Sequence, residues 1–176
     1  MTDDFGLRWA IKRSFIDYIR RMPDGTASIE AGALPVGDDD EVLFAPEATG
    51  QRLGPDGTTH RMWSFFGDVR FGGHFGMLSV RVAKPRIILA GDVGYLDIAD
   101  PTRANPEQRL HLLTLKLQEL SAEANTERWA GTDSQLTEAG SELFNEVYRP
   151  GEPFEDLTLT VPLIEPDKSR HDRVDT

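Results

Sequence analysis

The chain has 176 residues, 39% of them hydrophobic, with 16 glycines and 11 prolines, the make-up of one turn-rich globular domain. A net charge of −11 argues against nucleic acid or an anionic membrane surface as partner, since both would repel it. With no cysteine, disulfides, thiolate zinc sites, iron–sulfur clusters and cysteine nucleophiles are excluded.

The first residues, Met1 to Phe5, are acidic rather than apolar, and no window approaches the roughly 18 apolar residues of a membrane span. The expected location is cytoplasmic. Leu7, Ile11, Phe15, Tyr18 and Met22 then follow at helical steps, which predicts an amphipathic helix with Tyr18 on its inward face. Thr2, Asp3 or Asp4 is the expected cap, and Pro23-Asp24-Gly25 the stop.

Short strands are predicted over 26–33 and 41–45, on either side of the acidic run Asp38-Asp39-Asp40, with a loop over 49–58. A long strand is predicted over 61–71, with Phe65, Val69 and Phe71 on one face and Phe66, Asp68 and Arg70 on the other. It runs into the corner Gly72-Gly73-His74-Phe75-Gly76, whose glycines permit positive φ and close approach. Leu78, Val80 and Val82 alternate as a half-buried strand, and 86–90 with 93–98 read as a hairpin about Gly91-Asp92.

From Leu110 to Leu117 the alternation slips phase between Leu112 and Leu113, which predicts a β-bulge. A second helix is predicted from Glu138 to Tyr148, capped by Thr137, with Leu143, Phe144 and Val147 facing inward and Pro150-Gly151 ending it. A last strand spans 156–161. The expected organisation is a single domain over 1–164 and a polar, disordered tail over 165–176. The fold class is mainly β: an antiparallel β-barrel of about eight strands with two short α-helices, which can be filled or can hold one small ligand depending on the size of its inward side chains.

Taken alone, Tyr18 reads as a core-edge tyrosine whose hydroxyl is satisfied at the rim, and His74 as a turn residue. Asp38-Asp39-Asp40 lacks the spaced ligands of a calcium loop. His60, His111 and His171 lack metal-ligand spacing, and nothing in the chain resembles a nucleophile elbow. The residues give no reason to claim catalysis.

Three stretches, in order, carry a resemblance. Trp9, Ser14, Phe15 and Tyr18 lie in the first helix. Phe71-Gly72-Gly73-His74-Phe75-Gly76 forms the corner. Leu136-Thr137-Glu138-Ala139-Gly140 leads on to Phe144, Tyr148, Gly151 and Asp156-Leu157. Together they resemble the HtaA domain, a haem-binding module best known from haem uptake at the cell envelope of actinobacteria. The resemblance implies haem as cofactor, Tyr18 as axial iron ligand and His74 as its support, with Phe15, Phe71, Gly73 and Tyr148 as further ligand-binding residues. The chemistry is coherent, because a phenol ionises near pH 10 and needs a Lewis acid and a hydrogen-bond partner to bind as phenolate.

The expected role is a non-catalytic carrier of a large hydrophobic ligand in a barrel chamber, with Tyr18 at its mouth and Phe65, Val69, Phe71, Leu78 and Val80 as walls. The alternative ligand is a fatty acid or polyene intermediate of a biosynthetic pathway, with Tyr18, His74 or Arg70 at its carboxylate. An enzyme acting on the bound ligand is a third reading. The Thr-rich last strand and the rim are the expected surface of a homodimer.

Overall fold

The computed structural model describes residues 5–37, 40–123 and 125–163, and among these thirteen strands and two α-helices make a mainly β protein. The tail expected from residue 165 lies outside the described residues, as do Asp38 and Asp39. In chain order the elements are β1 (Gly6–Trp9), α1 (Arg13–Arg21), β2 (Thr26–Glu30), β3 (Ala33–Val36), β4 (Glu41–Phe44), β5 (Pro46–Leu53), β6 (Thr59–Phe65) and β7 (Asp68–Gly73). There follow β8 (Leu78–Ala83), β9 (Arg86–Ala90), β10 (Val93–Ala99), β11 (Arg109–Glu123), β12 (Thr126–Leu136), α2 (Glu138–Leu143) and β13 (Leu157–Pro162). Among the described residues, no helix is long and apolar enough to cross a membrane.

The expected closed barrel is not formed. Ten strands make one open antiparallel sheet in the order β3-β4-β1-β13-β12-β11-β10-β9-β6-β5, and β2-β7-β8 make a second. The large sheet nonetheless curls on itself. From β12 to β6 is four strand spacings, about 19 Å if flat, yet the Trp63 and Trp129 ring centroids lie 5.5 Å apart. Arg61 of β6 reaches across to Glu127 of β12 at 2.9 Å. No ladder joins the edge strands β3 and β5, although the chain passes from β4 to β5 through Ala45 alone.

Trp9, Phe44, Trp63, Phe65, Leu96, Ile98, Leu112 and Leu113 are fully buried in one contiguous core. The expected walls Phe65, Val69, Phe71, Leu78 and Val80 belong to that same packed cluster.

The first predicted helix divides in two. Leu7 and Trp9 alternate as a strand between β4 and β13, and Ile11, at φ 60°, turns the chain before α1 begins. Gly6 is required there, because a Cβ would stand 2.3 Å from the Phe44 carbonyl oxygen. Lys12 precedes the helix without a side-chain cap, and the expected caps Thr2, Asp3 and Asp4 lie outside the described residues. The long strand predicted over 61–71 also breaks in two. Gly67, at φ 134°, packs where a Cβ would meet the Phe44 ring at 2.4 Å, and the chain passes there from one sheet to the other. The predicted faces hold for Phe65, Val69 and Phe71, which are buried, and for Phe66 and Arg70, which are exposed; Asp68, expected with the latter, is buried.

The phase slip in β11 is a bulge. Leu96 pairs with Leu113 and Asp97 with His111, so Leu112 is the extra residue, and both leucines are buried. The β9–β10 hairpin forms about Gly91-Asp92 as predicted. Helix α2 is shorter than expected. The Thr137 hydroxyl accepts from the Gly140 N–H at its start, but Asn145 and Glu146 take positive φ and end it, leaving Val147 67% exposed. Strand β13 lies between β1 and β12, so the last strand is not an edge open to a second copy.

Two buried carboxylates tie strands together. Asp97 accepts from Arg86 Nη2 and Arg109 Nε, both at 2.9 Å, and Glu127 accepts from Arg61 and from the Trp129 indole. Replacing Asp97 by Ala leaves Arg86 and Arg109, whose side chains are 18% and 13% exposed, without their counter-charge. The expected loss is about 3–5 kcal/mol in a urea unfolding experiment. A loss below about 1 kcal/mol would mean that the cluster behaves like a surface pair.

Candidate functional site

Helix α1 is nine residues long and too short to be stable by itself, so its position is set by what it buries. Phe15 and Ile19 are buried, as is Met22 just beyond its end. The Phe15 ring meets Phe71 and Phe144 edge-on at 5.2 and 5.1 Å, and Tyr148 at 6.5 Å. Tyr148 packs on Phe154 and carries the Lys12 ammonium 5.3 Å from its centroid. That ammonium donates to Glu152 Oε1 at 3.2 Å and the Pro153 carbonyl at 2.6 Å, tying the start of α1 to the segment after α2.

Tyr18 lies one turn beyond Phe15. The sequence placed it facing inward; the structure leaves it 45% exposed, its hydroxyl hydrogen-bonded to His74 Nε2. The amphipathic pattern misassigned it because Phe15, Ile19 and Met22 take the buried face, and Tyr18 falls beside that face. The pair works in either ionisation state. A neutral phenol donates to Nε2, and a phenolate accepts from Nε2–H.

His74 reaches Tyr18 from an unusual turn. His74 has φ 48°, Phe75 φ 54° and ψ 38°, and Gly76 φ 87°, three successive residues in left-handed conformation. For the two non-glycine residues this costs roughly 1–2 kcal/mol each. The turn throws Phe75 and Met77 outward, 98% and 84% exposed. Behind it, Met22 Sδ accepts from the His74 N–H at 3.2 Å, and the Asp24 carboxylate accepts from the N–H groups of His74 at 3.2 Å and Phe75 at 2.6 Å.

Of the expected site residues, Tyr18 and His74 are thus brought together at the surface. Phe15, Phe71 and Tyr148 form an aromatic cluster on the packed side of α1, and Gly73 is buried against Met22. Asp24, Met22, Phe75 and Met77 were not singled out in the sequence. Asp24 read only as part of a helix stop, and nothing local marks a turn aspartate as the anchor for residues fifty positions away. Asp68, expected beside Arg70 on one face of the long strand, is held by Arg70 and Arg81. Burial works to raise its carboxyl, and the hydrogen bonds from the two arginines outweigh it, so the group sits below its usual range.

A cleft of about 420 Å³ runs between α2 and β11, past Arg109, His111 and Glu142. A smaller one, of about 200 Å³, is lined by Ile19, Ile29 and Val42, by the expected walls Val69 and Phe71, and by Arg20. Tyr18 and His74 line neither.

A Cβ at Gly73 would stand 2.0 Å from Met22 Sδ, a mid-chain atom of a buried side chain. Gly73→Ala is therefore expected to lose about 1–3 kcal/mol of stability by overpacking, read as a lower midpoint in thermal or urea unfolding. Asp24 supplies a pH dependence. The Phe75 N–H first, then the neighbouring amides and the His74 imidazole, hold its carboxyl below the usual 3.8. A depressed folded-state value means its contribution is complete above pH 3.8 and is lost as pH falls through that lower value. Protection of the His74 and Phe75 amides, taken relative to intrinsic exchange at each pH, should fall only in that acid range.

The family model described as Htaa (HtaA) matches residues 4–160. The C-terminal domain of HtaA from Corynebacterium glutamicum superposes with a TM-score of 0.69 at 22% identity, covering 89% of this chain and 94% of that one. The N-terminal domain of the same protein gives 0.63 at 21%, covering 89% and 96%. The heme binding protein HtaB from that organism gives 0.61 at 18%, covering 88% and 90%. No curated protein sequence matches. At such identities the superpositions speak for a shared fold, and the family model reaches nearly the whole described chain. The chain belongs to the HtaA domain family.

Proposed function

We propose that this protein is a non-catalytic haem-binding module in which Tyr18 ligates the iron and His74 holds the tyrosine oxygen in place. The observation that carries this reading is the pairing of the Tyr18 hydroxyl with His74 Nε2 on a half-exposed surface, in a chain whose structural relatives include a protein named for heme binding. The donor set fits ferric haem. An oxygen donor with an imidazole beside it matches a hard Fe(III) centre, and the outward Phe75 and Met77 offer apolar surface next to it. When bound, ferric haem supplies a Lewis acid that favours the phenolate form of tyrosine.

The protein's own part is then simple. Phe15 and its aromatic neighbours fix α1, so the Tyr18 oxygen needs no reorganisation to meet a ligand. His74 Nε2–H donates to that oxygen once the phenol proton has left, and a hydrogen bond to a charged acceptor is worth about 1.5–3 kcal/mol. In this reading a flat ligand lies against the turn beside Tyr18 and His74. The relative named for heme binding favours haem over a fatty acid or polyene intermediate.

Haemin titration followed in the Soret band tests the reading. The wild-type protein should show a saturable shift, and Tyr18→Phe, which keeps the ring and loses only the oxygen, should abolish it. His74→Ala should still bind, weakened on the order of 10- to 100-fold, the value of one charge-assisted hydrogen bond. Identical spectra for wild type and Tyr18→Phe would remove Tyr18 from the iron.

A further inference from the structure

The imidazole that meets Tyr18 is held by nothing on its own strand. Strand β7 ends at Gly73, and the next three residues, His74, Phe75 and Gly76, are the left-handed turn. L residues avoid that conformation unless their surroundings enforce it. Two adjacent N–H groups of the turn converge on one carboxylate: His74 N lies 3.2 Å from Asp24 Oδ1, and Phe75 N lies 2.6 Å from Asp24 Oδ2. Successive backbone N–H groups aimed at a single anion form a cradle with a fixed geometry. Asp24 itself stands six residues after Tyr18, just past the Met22 end of α1. One short stretch of chain thus carries both the phenol and the anchor of its imidazole partner.

We infer that Asp24 is the positioning residue of this site: its carboxylate, by binding the His74 and Phe75 amides, holds the turn that sets His74 Nε2 on the Tyr18 oxygen. Asp24 makes no contact with the ligand in this account and acts only through His74. The depressed carboxyl of Asp24 agrees with the geometry, since the Phe75 N–H is the largest cause of the shift. Met22 Sδ, which also accepts from the His74 N–H, is the weaker of the two anchors, because a thioether is a poor acceptor. The same carboxylate fixes the direction of Phe75, so loss of Asp24 also frees the exposed ring. The role in ligand binding rests on the haem reading above, while the geometric role does not.

The experiment is a double-mutant cycle on haemin binding with Asp24→Ala, His74→Ala and the pair. Asp24→Ala should weaken haemin on the order of tenfold, as loss of one charge-assisted hydrogen bond would. Its Soret and charge-transfer bands should move toward those of His74→Ala, and the double variant should bind no more weakly than His74→Ala alone. Asp24→Asn keeps an acceptor for one N–H and should fall between wild type and Asp24→Ala; it also serves if the alanine variant folds poorly. Wild-type affinity in Asp24→Ala, or losses that multiply in the double variant, would overturn the assignment.

If the wild-type protein takes up no haemin, the haem reading fails and the geometric claim is judged on the ligand-free protein. In nitrogen-15 spectra, the His74 Nε2 resonance of Asp24→Asn should then move toward that of Tyr18→Phe, and the His74 and Phe75 amides should exchange faster. A His74 Nε2 resonance that stays at its wild-type position would sink it.

Discussion

The site depends on how Phe15 seats the helix beneath it. A nine-residue helix has no stability to spare, and its capping residue, Lys12, contributes no side-chain hydrogen bond to its first turn. What holds it is burial of Phe15 against Phe71, Phe144 and Tyr148, worth about 1.5–3 kcal/mol for such a ring, with the Lys12 ammonium bonded to Glu152 and Pro153. Those partners come from β7, from the residues after α2 and from the approach to β13. A residue one turn further along, Tyr18, therefore has its place fixed by three distant parts of the chain. The hydroxyl needs no packing of its own, and it stays available at the surface.

A second constraint acts on the sheet. Ten strands left flat would expose both faces of a wide surface, and burying the indoles of Trp63 and Trp129 against each other requires the sheet to curl. The charges of Arg61 and Glu127 cross the same gap, with the Arg61 guanidinium 4.7 Å from the Trp63 ring centroid. Curled in this way, the sheet packs Trp9, Phe44, Trp63 and Phe65 into one contiguous core. The Tyr18–His74 pair stands at the surface, where α1 meets the turn after β7.

Segments whose side chains declare their environment locally were legible in the sequence. The β9–β10 hairpin has a turn dipeptide between two apolar runs, and the β11 bulge shows as two adjacent leucines where alternation demands one. Thr137 marks the start of α2 because its hydroxyl acts three residues away. Strand β12 was missed for the opposite reason. Its buried positions include Glu127, Gly131 and Ser134, and a glutamate reads as buried only when its arginine partner, on another strand, is known. Strand β5 is an edge with few buried side chains and no alternation to read.

The sequence by itself determined the mainly β class, the family, the strand and turn chemistry around the corner, and the two residues that meet there. Each of these is encoded within a dozen neighbouring positions or in a short motif. Only the tertiary structure decided that the sheet stays open, that large side chains from many strands share one core, that Tyr18 lies at the surface, and that Asp24 reaches the corner. Those outcomes depend on the summed volume of side chains from many strands and on contacts between residues some fifty positions apart, such as Asp24 with Phe75. No periodicity in a linear chain records how much space its side chains will leave once they meet.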